Sequence, residues 1–170
     1  RFEPGDSNAV DWKATAKAMK SVPHSRRIYV TKHSAGICGV GKWMKRRKEW
    51  CHDCCPRCGA EAEDTLHVLK CQDPRAKAQW KKSLETLDSW MKEQKTHPGI
   101  RAAVIAHLQA WQENGPLPAI TGQLFFDLPR AIANQNEVGW QSFIEGNPAH
   151  GWRNSQQQYY LYIRSKKTGL

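Results

Sequence analysis

The sequence predicts an all-α protein, and three observations support this. Apolar residues recur three and four positions apart along most of the 170-residue chain, which places them on one face of a helix. Proline or glycine bounds several of these stretches, and no stretch alternates apolar and polar residues as a half-buried strand would. Five of the six cysteines fall between Cys51 and Cys71, which indicates a small metal-bound module. With eight tryptophans and 39% hydrophobic residues, the chain can bury a sizeable core.

Two helices are predicted in the N-terminal third. The first covers Val10–Val22, and Pro23 ends it because proline cannot continue a helix. Its apolar face is predicted to consist of Trp12, Ala16 and Met19. The second is a short helix over Ser25–His33 whose apolar residues are poorly phased.

Two longer helices follow and are predicted to form an antiparallel hairpin over residues 74–114. After Pro74, apolar residues recur at intervals of 4, 3 and 4, at Trp80, Leu84, Leu87 and Met91. Pro98 opens the next helix, which the Asn114-Gly115-Pro116 sequence stops. Its apolar positions are Ile100, Val104, Leu108 and Trp111.

The remainder, residues 115–170, is predicted to be a linker followed by a C-terminal helical region. Residues 115–129 contain five prolines or glycines and the apolar run Leu124-Phe125-Phe126, and are the expected linker. Helices are then expected over Pro129–Val138, at Trp140 with Phe143, and over Gly151–Lys167. The predicted divisions of the chain are 1–73, 74–114 and 115–170.

The cysteine cluster contains a pattern typical of a metal site. Cys55 and Cys58 have C-x2-C spacing, and Pro56 and Gly59 favour a turn that brings the two thiolates together. His67 and Cys71 follow as H-x3-C, so on a helix both side chains lie on one face. Three thiolates and an imidazole match the tetrahedral preference of zinc and leave no open position for a substrate. We therefore expect one structural Zn²⁺, and a fold class of all-α with a small CCHC zinc-binding module.

Two other interpretations of the cysteines are open at this stage. The CCHC residues can be reduced, buried cysteines without a metal. Cys51 and Cys54 form a second C-x2-C pair that, with Cys38, can supply alternative ligands or help a second ion, or can be bystanders. Glu61, Glu63 and Asp64 precede the helix of His67, and we interpret them as caps that favour its dipole.

The formal net charge of +10 is concentrated near the N-terminus. Between Trp12 and Lys48 the chain has eleven Lys or Arg and no Asp or Glu, which leaves 15 basic against 16 acidic residues elsewhere. Such a field favours a polyanion, an acidic protein surface or an anionic membrane as the partner. No stretch approaches the roughly 20 apolar residues of a membrane span, so we expect no membrane-spanning segment. Among the possible partners we expect nucleic acid, within a larger protein complex or alone, and not a membrane.

Cationic and aromatic residues alternate just before the cysteine cluster. Cations bind phosphates while rings stack on unpaired bases, so this mixture favours RNA or DNA. The alternative is a solvated basic turn whose tryptophans pack on the metal module. The candidate nucleic-acid-binding residues are Arg26, Arg27, Lys42, Trp43, Lys45, Arg46, Arg47 and Lys48.

The run W-x4-CPRCG-x-E-x-ED-x-LHVLKC, preceded by GKWMKRRKEW, resembles the zinc-binding region that follows the polymerase domain in reverse transcriptases of non-LTR retroelements. The resemblance covers about residues 24–73 and implies that Cys55, Cys58, His67 and Cys71 are zinc ligands. It does not extend to polymerase chemistry, because paired aspartates for two metal ions are absent outside the Glu63-Asp64 pair. The GW-x2-F-x2-G segment at Gly139–Gly146 is similar to the tails of retroelement-like reading frames.

The sequence therefore predicts a non-enzymatic, zinc-stabilised nucleic-acid-binding domain. The alternative is a zinc-stabilised helical scaffold for protein assembly in a larger complex. A nuclease is disfavoured because the aspartates are scattered singly along the chain. Because the sequence starts at Arg1, we expect a fragment of a longer chain, in which a catalytic domain or a targeting signal can lie upstream. The sequence therefore constrains the location only weakly, and an intracellular one, nuclear or cytoplasmic, is favoured.

Overall fold

The computed structural model describes residues 9–119 and 127–168, and in this part of the chain it has nine α-helices and no β-strand. The predicted all-α class is thus confirmed. The helices are α1 (Trp12–Ser21), α2 (His24–Ser34), α3 (Gly41–Arg46), α4 (Thr65–Lys70), α5 (Pro74–Glu93), α6 (Pro98–Glu113), α7 (Leu128–Val138), α8 (Trp140–Ile144) and α9 (His150–Thr168).

Contacts group the chain into two compact units. One is Ser21–Leu87, and the larger one comprises residues 9–20 and 88–168 among those described. The predicted divisions at 73 and 114 stay a prediction about domain boundaries. Residues 120–126, in the middle of the predicted linker, lie outside the described residues, and the Leu124-Phe125-Phe126 run lies there too.

The helix ends follow local chemistry, which is why the sequence predicts them well. Pro98 occupies the first turn of α6, where its missing N–H costs nothing. Asn114 ends the same helix in the left-handed conformation at φ 55°, and the Gly115 N–H donates to the Ala110 carbonyl at 2.9 Å. Gly139 and Gly146 bracket α8 with φ of 89° and 92°, so the two glycines of the GW-x2-F-x2-G segment serve conformations that other residues rarely adopt.

The core of the larger unit is built on the contact between α7 and α9. A Cβ on Gly151 would lie 2.5 Å from the Cα of Ala131, so the two helices touch backbone to backbone there. Gln135 of α7 is fully buried, and its Oε1 accepts the indole N–H of Trp152 and the backbone N–H of Ala149, each at 2.9 Å. These bonds satisfy a buried amide that would otherwise be costly to desolvate.

The start of the described chain is tied to α9 by a buried carboxylate. Asp11 accepts the Ala14 N–H at 2.9 Å as a cap of α1 and also pairs with Arg153. The predicted apolar face of α1 is not buried, because Trp12 is 47% exposed and Ala16 is exposed, whereas Thr15 donates to the Gly146 carbonyl at 2.8 Å. Capping by Asp11, rather than packing of that face, therefore fixes α1.

His97 makes the first turn of α6 sensitive to pH. Its Nδ1 accepts the Gly99 N–H at 3.0 Å, and its ring packs edge-on against Tyr159 with centroids 4.6 Å apart. Burial lowers the pKa of His97. Because a protonated Nδ1 cannot accept this bond, we expect stability to be full above about pH 6.5, the value for an unfolded histidine, and to fall as the pH drops towards the lower folded-state pKa.

Urea unfolding between about pH 7.5 and 5 measures this effect. The matched variant is His97→Asn, since asparagine also caps helices but does not titrate. The variant should lose less stability than the parent over this interval. An identical loss in both proteins would rule out His97 as the group responsible.

Candidate metal centre

Four side chains of the Ser21–Leu87 unit converge on one point. Cys55 and Cys58 lie in the turn formed by the C-x2-C sequence, His67 lies on α4, and Cys71 follows the last residue of that helix. The four ligand atoms lie within 4.8 Å of one another. The Sγ atoms of Cys55 and Cys71 are 3.9 Å apart, and Cys58 Sγ is 3.3 Å from His67 Nε2.

These distances fit a tetrahedral metal ion. Metal–sulfur bonds of about 2.3 Å at tetrahedral angles place two sulfurs about 3.8 Å apart, and a metal–nitrogen bond of about 2.0 Å shortens the mixed distance to about 3.5 Å. Both observed distances lie close to these values. The four residues can therefore hold one metal ion, as the sequence predicts.

The sulfur atoms of Cys55 and Cys58 lie in different environments. Burial raises the pKa of Cys55 to about 11, although backbone N–H groups of Cys58 and Arg57 point at its sulfur and act in the opposite direction. The pKa of Cys58 is lowered, mainly by the N–H of Ala60. The exposed Cys58 thiolate therefore forms more readily than the buried Cys55 thiolate, which a bound metal ion would stabilise.

The turn that carries these sulfurs is closed by its own backbone. The Gly59 N–H donates to the Cys55 carbonyl at 2.9 Å, and the Cys55 N–H donates to the Ala60 carbonyl at 2.8 Å. Gly59 has φ of 74°, so a residue without Cβ is needed at this position. The CPRCG sequence thus folds into the turn that its proline and glycine predict.

The acidic residues before α4 divide into two roles. Asp64 is the N-cap of α4, where its carboxylate accepts the His67 N–H at 2.7 Å, so the capping interpretation is confirmed for this residue. That interpretation is wrong for Glu63, whose side chain is 94% buried and turns away from α4 towards α3. Glu61 is exposed, with no described contact to the helix end.

Glu63 joins the metal turn to α3. Its Oε2 accepts the N–H of Gly41, the first residue of α3, at 2.8 Å, and its carbonyl accepts the Lys42 N–H at 2.9 Å. Its own N–H donates to the Asp53 carbonyl at 2.8 Å, two residues before Cys55. A carboxylate at a helix N-terminus is favourable for the helix dipole. The start of α3 is thus held by the same segment that carries the metal ligands.

The close approach at Gly41 gives a direct test of this packing. A Cβ on Gly41 would lie 2.5 Å from the Asp53 carbonyl oxygen and 3.2 Å from Glu63 Cβ. We expect Gly41→Ala to destabilise the protein by about 1–3 kcal/mol despite the better helix propensity of alanine. Urea unfolding measures the change. Gly39→Ala is the control, because the nearest atom there is the Met44 sulfur at 3.7 Å, and an equal loss in both variants would contradict this packing.

The basic residues before the cluster lie on a helix rather than in a turn. Lys42, Lys45 and Arg46 belong to α3, and Arg47 and Lys48 follow it. Lys45 pairs with Asp53 at 3.2 Å and Arg47 with Glu49 at 2.7 Å. Of these five residues, Lys42, Arg46 and Lys48 are exposed and have no ion pair with a described residue. These three residues, on α3 or two positions after its end, are hereafter the free cations of α3, and they lie next to the segment held by Glu63.

Trp43 lies on α3 and is hydrogen-bonded to the segment that follows α2. Its indole N–H donates to the Gly36 carbonyl, and the Arg46 guanidinium lies 4.9 Å from its ring centroid. The half-buried indole is therefore engaged within the protein, which agrees with the alternative of tryptophans that pack on the module, and its role in stacking on bases stays a prediction. Arg26 and Arg27 lie exposed on α2, in the same compact unit as α3.

The three remaining cysteines do not form a second centre. Within residues 9–119 and 127–168, the CCHC group is the only set of three or more potential ligands that meets closely enough to hold an ion. Cys51 is exposed, Cys38 and Cys54 are half-buried, and burial raises the pKa of Cys38. The interpretation of these three residues as bystanders is the one that agrees with the structure.

Fold and site together define an all-helical protein with a Cys₃His group able to hold a metal ion. No protein-family model, curated protein or solved structure matches the chain.

Among the described helices, none combines the length and apolar character needed to cross a bilayer.

Proposed function

We propose that this protein is a non-enzymatic nucleic-acid-binding module whose basic helix is held by a structural zinc ion. The observation that carries the proposal is the Glu63 linkage, whose hydrogen bonds to Gly41, Lys42 and Asp53 join the start of α3 to the segment that contains the C-x2-C turn. The segment that carries the metal ligands thereby also positions the free cations of α3. The resemblance of residues 24–73 to the zinc-binding region of non-LTR reverse transcriptases supports the same proposal.

Zinc is the metal that best suits the donor set. Three thiolates with one imidazole are soft and borderline ligands, which disfavour magnesium and calcium. Four protein ligands complete a tetrahedral sphere, so the site is structural.

The charge distribution supports a polyanionic partner. The Ser21–Leu87 unit has fourteen Lys or Arg against seven Asp or Glu, a formal net charge of +7 out of the +10 of the whole chain. Contacts of these cations with phosphates carry little sequence information, so we expect affinity that depends strongly on salt and weakly on sequence.

Binding of the zinc-loaded protein to labelled single- and double-stranded RNA and DNA across a salt series tests the proposal. We expect micromolar or tighter binding at low salt and a linear fall of log affinity with log salt. Absence of binding to all four nucleic acids at low salt would contradict it.

A second candidate, a zinc-stabilised scaffold for protein assembly, is favoured by a different observation. The C-terminal part of α9 exposes large apolar side chains, with Leu161 at 60% and Tyr162 at 44%. A partner that stays bound after nuclease treatment and in high salt would support this candidate. Loss of every partner with nuclease would exclude it.

A further inference from the structure

A groove of about 320 Å³ opens in the Ser21–Leu87 unit between α2, α4 and the metal-binding turn. This volume is at the lower end of the range for small-molecule sites. Val68 and Leu69 of α4 contribute apolar surface, and Tyr29 of α2 and Trp50 contribute aromatic rings. The groove is therefore suited to a flat, partly apolar group.

The tyrosine and the tryptophan of the groove keep exposed ring surface, although each also contacts a histidine. Tyr29 stacks with His33 at a centroid distance of 6.1 Å, and Trp50 lies tilted to His52 at 5.9 Å. Tyr29 is 61% exposed and Trp50 is 37% exposed, unlike Trp43, whose indole is engaged within the protein. Exposed rings next to cationic surface are the usual platforms on which unpaired bases stack. Trp50, and not Trp43, is thus the tryptophan of the basic segment that can take this role.

The groove also offers polar groups. Thr65 lines it, but its hydroxyl oxygen is shielded from solvent and is therefore not open to an occupant. Arg57 lines the groove too, is exposed, and is placed by the turn between Cys55 and Cys58. Glu63 also lines the groove, but it is buried and its carboxylate accepts the Gly41 N–H. A negatively charged occupant would therefore neutralise the exposed guanidinium of Arg57.

We infer that this groove receives one unpaired base of a bound single strand, with its phosphate near Arg57. The inference rests on the proposed nucleic-acid binding and adds a preference for single strands over duplexes, whose bases are stacked inside the helix. An apolar peptide side chain suits the groove less well, because it would bring no negative charge to the exposed Arg57 or to a unit of net +7.

The first test uses the unmodified, zinc-loaded full chain with two labelled single strands of about twelve nucleotides, one normal and one abasic throughout its interior. Both carry the same phosphates. We expect the abasic strand to bind at least about tenfold more weakly with an unchanged salt slope, because stacking is lost and phosphate contacts are kept. Equal affinities would overturn the groove inference but leave the proposed function standing. No binding of either strand at low salt, with a duplex still bound, would overturn the groove inference alone, whereas no binding of strands or duplexes would overturn both.

The second test locates the effect. Replacing Tyr29 and Trp50 by alanine should make the normal strand bind as weakly as the abasic one, while abasic binding stays unchanged and so reports an intact fold. The control replaces Trp90 and Tyr162, which are 56% and 44% exposed and lie outside the groove, and should keep the full preference. A preference that survives in the Tyr29 and Trp50 variant would overturn the assignment to this groove. If this variant is unstable, the affinities of the unmodified protein for the normal and the abasic strand still decide the inference.

Discussion

Replacing Cys71 by serine is expected to abolish metal binding and to unfold the region around α3 and α4. Cys71 is 1% exposed, and its sulfur faces that of Cys55 at 3.9 Å. Sites of this kind contribute about 10–16 kcal/mol of folding free energy when zinc binds, as much as the whole stability of an ordinary domain, about 5–15 kcal/mol. Hydrogen exchange of the α3 and α4 amides and the zinc content per chain are the measurements.

Cys51→Ser is the matched control for this prediction. Cys51 is exposed and lies outside the CCHC group, so this variant should retain one zinc and normal amide protection. Retention of a full equivalent of zinc and of amide protection by the Cys71 variant would contradict the assignment of the four ligands. Zinc loss in both variants would show that the ligand set is wrong.

Replacing the free cations of α3, Lys42, Arg46 and Lys48, by alanine is expected to cause the second large effect. Each phosphate contact that is lost lowers the slope of log affinity against log salt by about 0.7–0.9, so the triple variant should lose about 2–3 from the slope. We expect the affinity at low salt to fall about 10- to 100-fold for all sequences alike. Fluorescence anisotropy across a salt series measures both quantities.

The control variant removes three positive charges from a different helix of the same unit. Lys77, Lys81 and Lys82 are exposed on α5 within the same compact unit. Their replacement by alanine should leave the salt slope nearly unchanged. If both triple variants lose affinity equally, general charge and not the surface of α3 determines binding.

The sequence predicts the long helices because their determinants are local. Pro98 and the Asn114-Gly115 pair bound α6, and a 3.6-residue period runs between them. The short helix α3 escapes prediction because its six residues, GKWMKR, contain no apolar period. Its N-terminus depends on Glu63, which is 22 positions away in the sequence, and no local pattern reveals that contact.

The metal ligands are predictable because their determinants are local in the sequence, whereas the contact that fixes the start of α3 is not. Cys55, Cys58, His67 and Cys71 lie within 17 positions, and the turn and the helix between them convert spacing directly into geometry. Only its position between the metal ligands could have indicated that Glu63 is buried. The same position is equally compatible with a cap of α4, so the sequence does not distinguish the two roles. The ion pair of Asp11 with Arg153 joins residues 142 positions apart and has no signal in a single sequence.

The central claim is that metal binding at the CCHC group organises the nucleic-acid-binding surface, and a zinc titration tests it most directly. Zinc is added to the metal-free protein in the presence of a labelled single strand at low salt, and anisotropy is recorded. We predict that tight binding of the strand appears with zinc and saturates at one equivalent per chain. Equally tight binding by the metal-free protein, or no binding of the strand after one equivalent of zinc is bound, would contradict the claim.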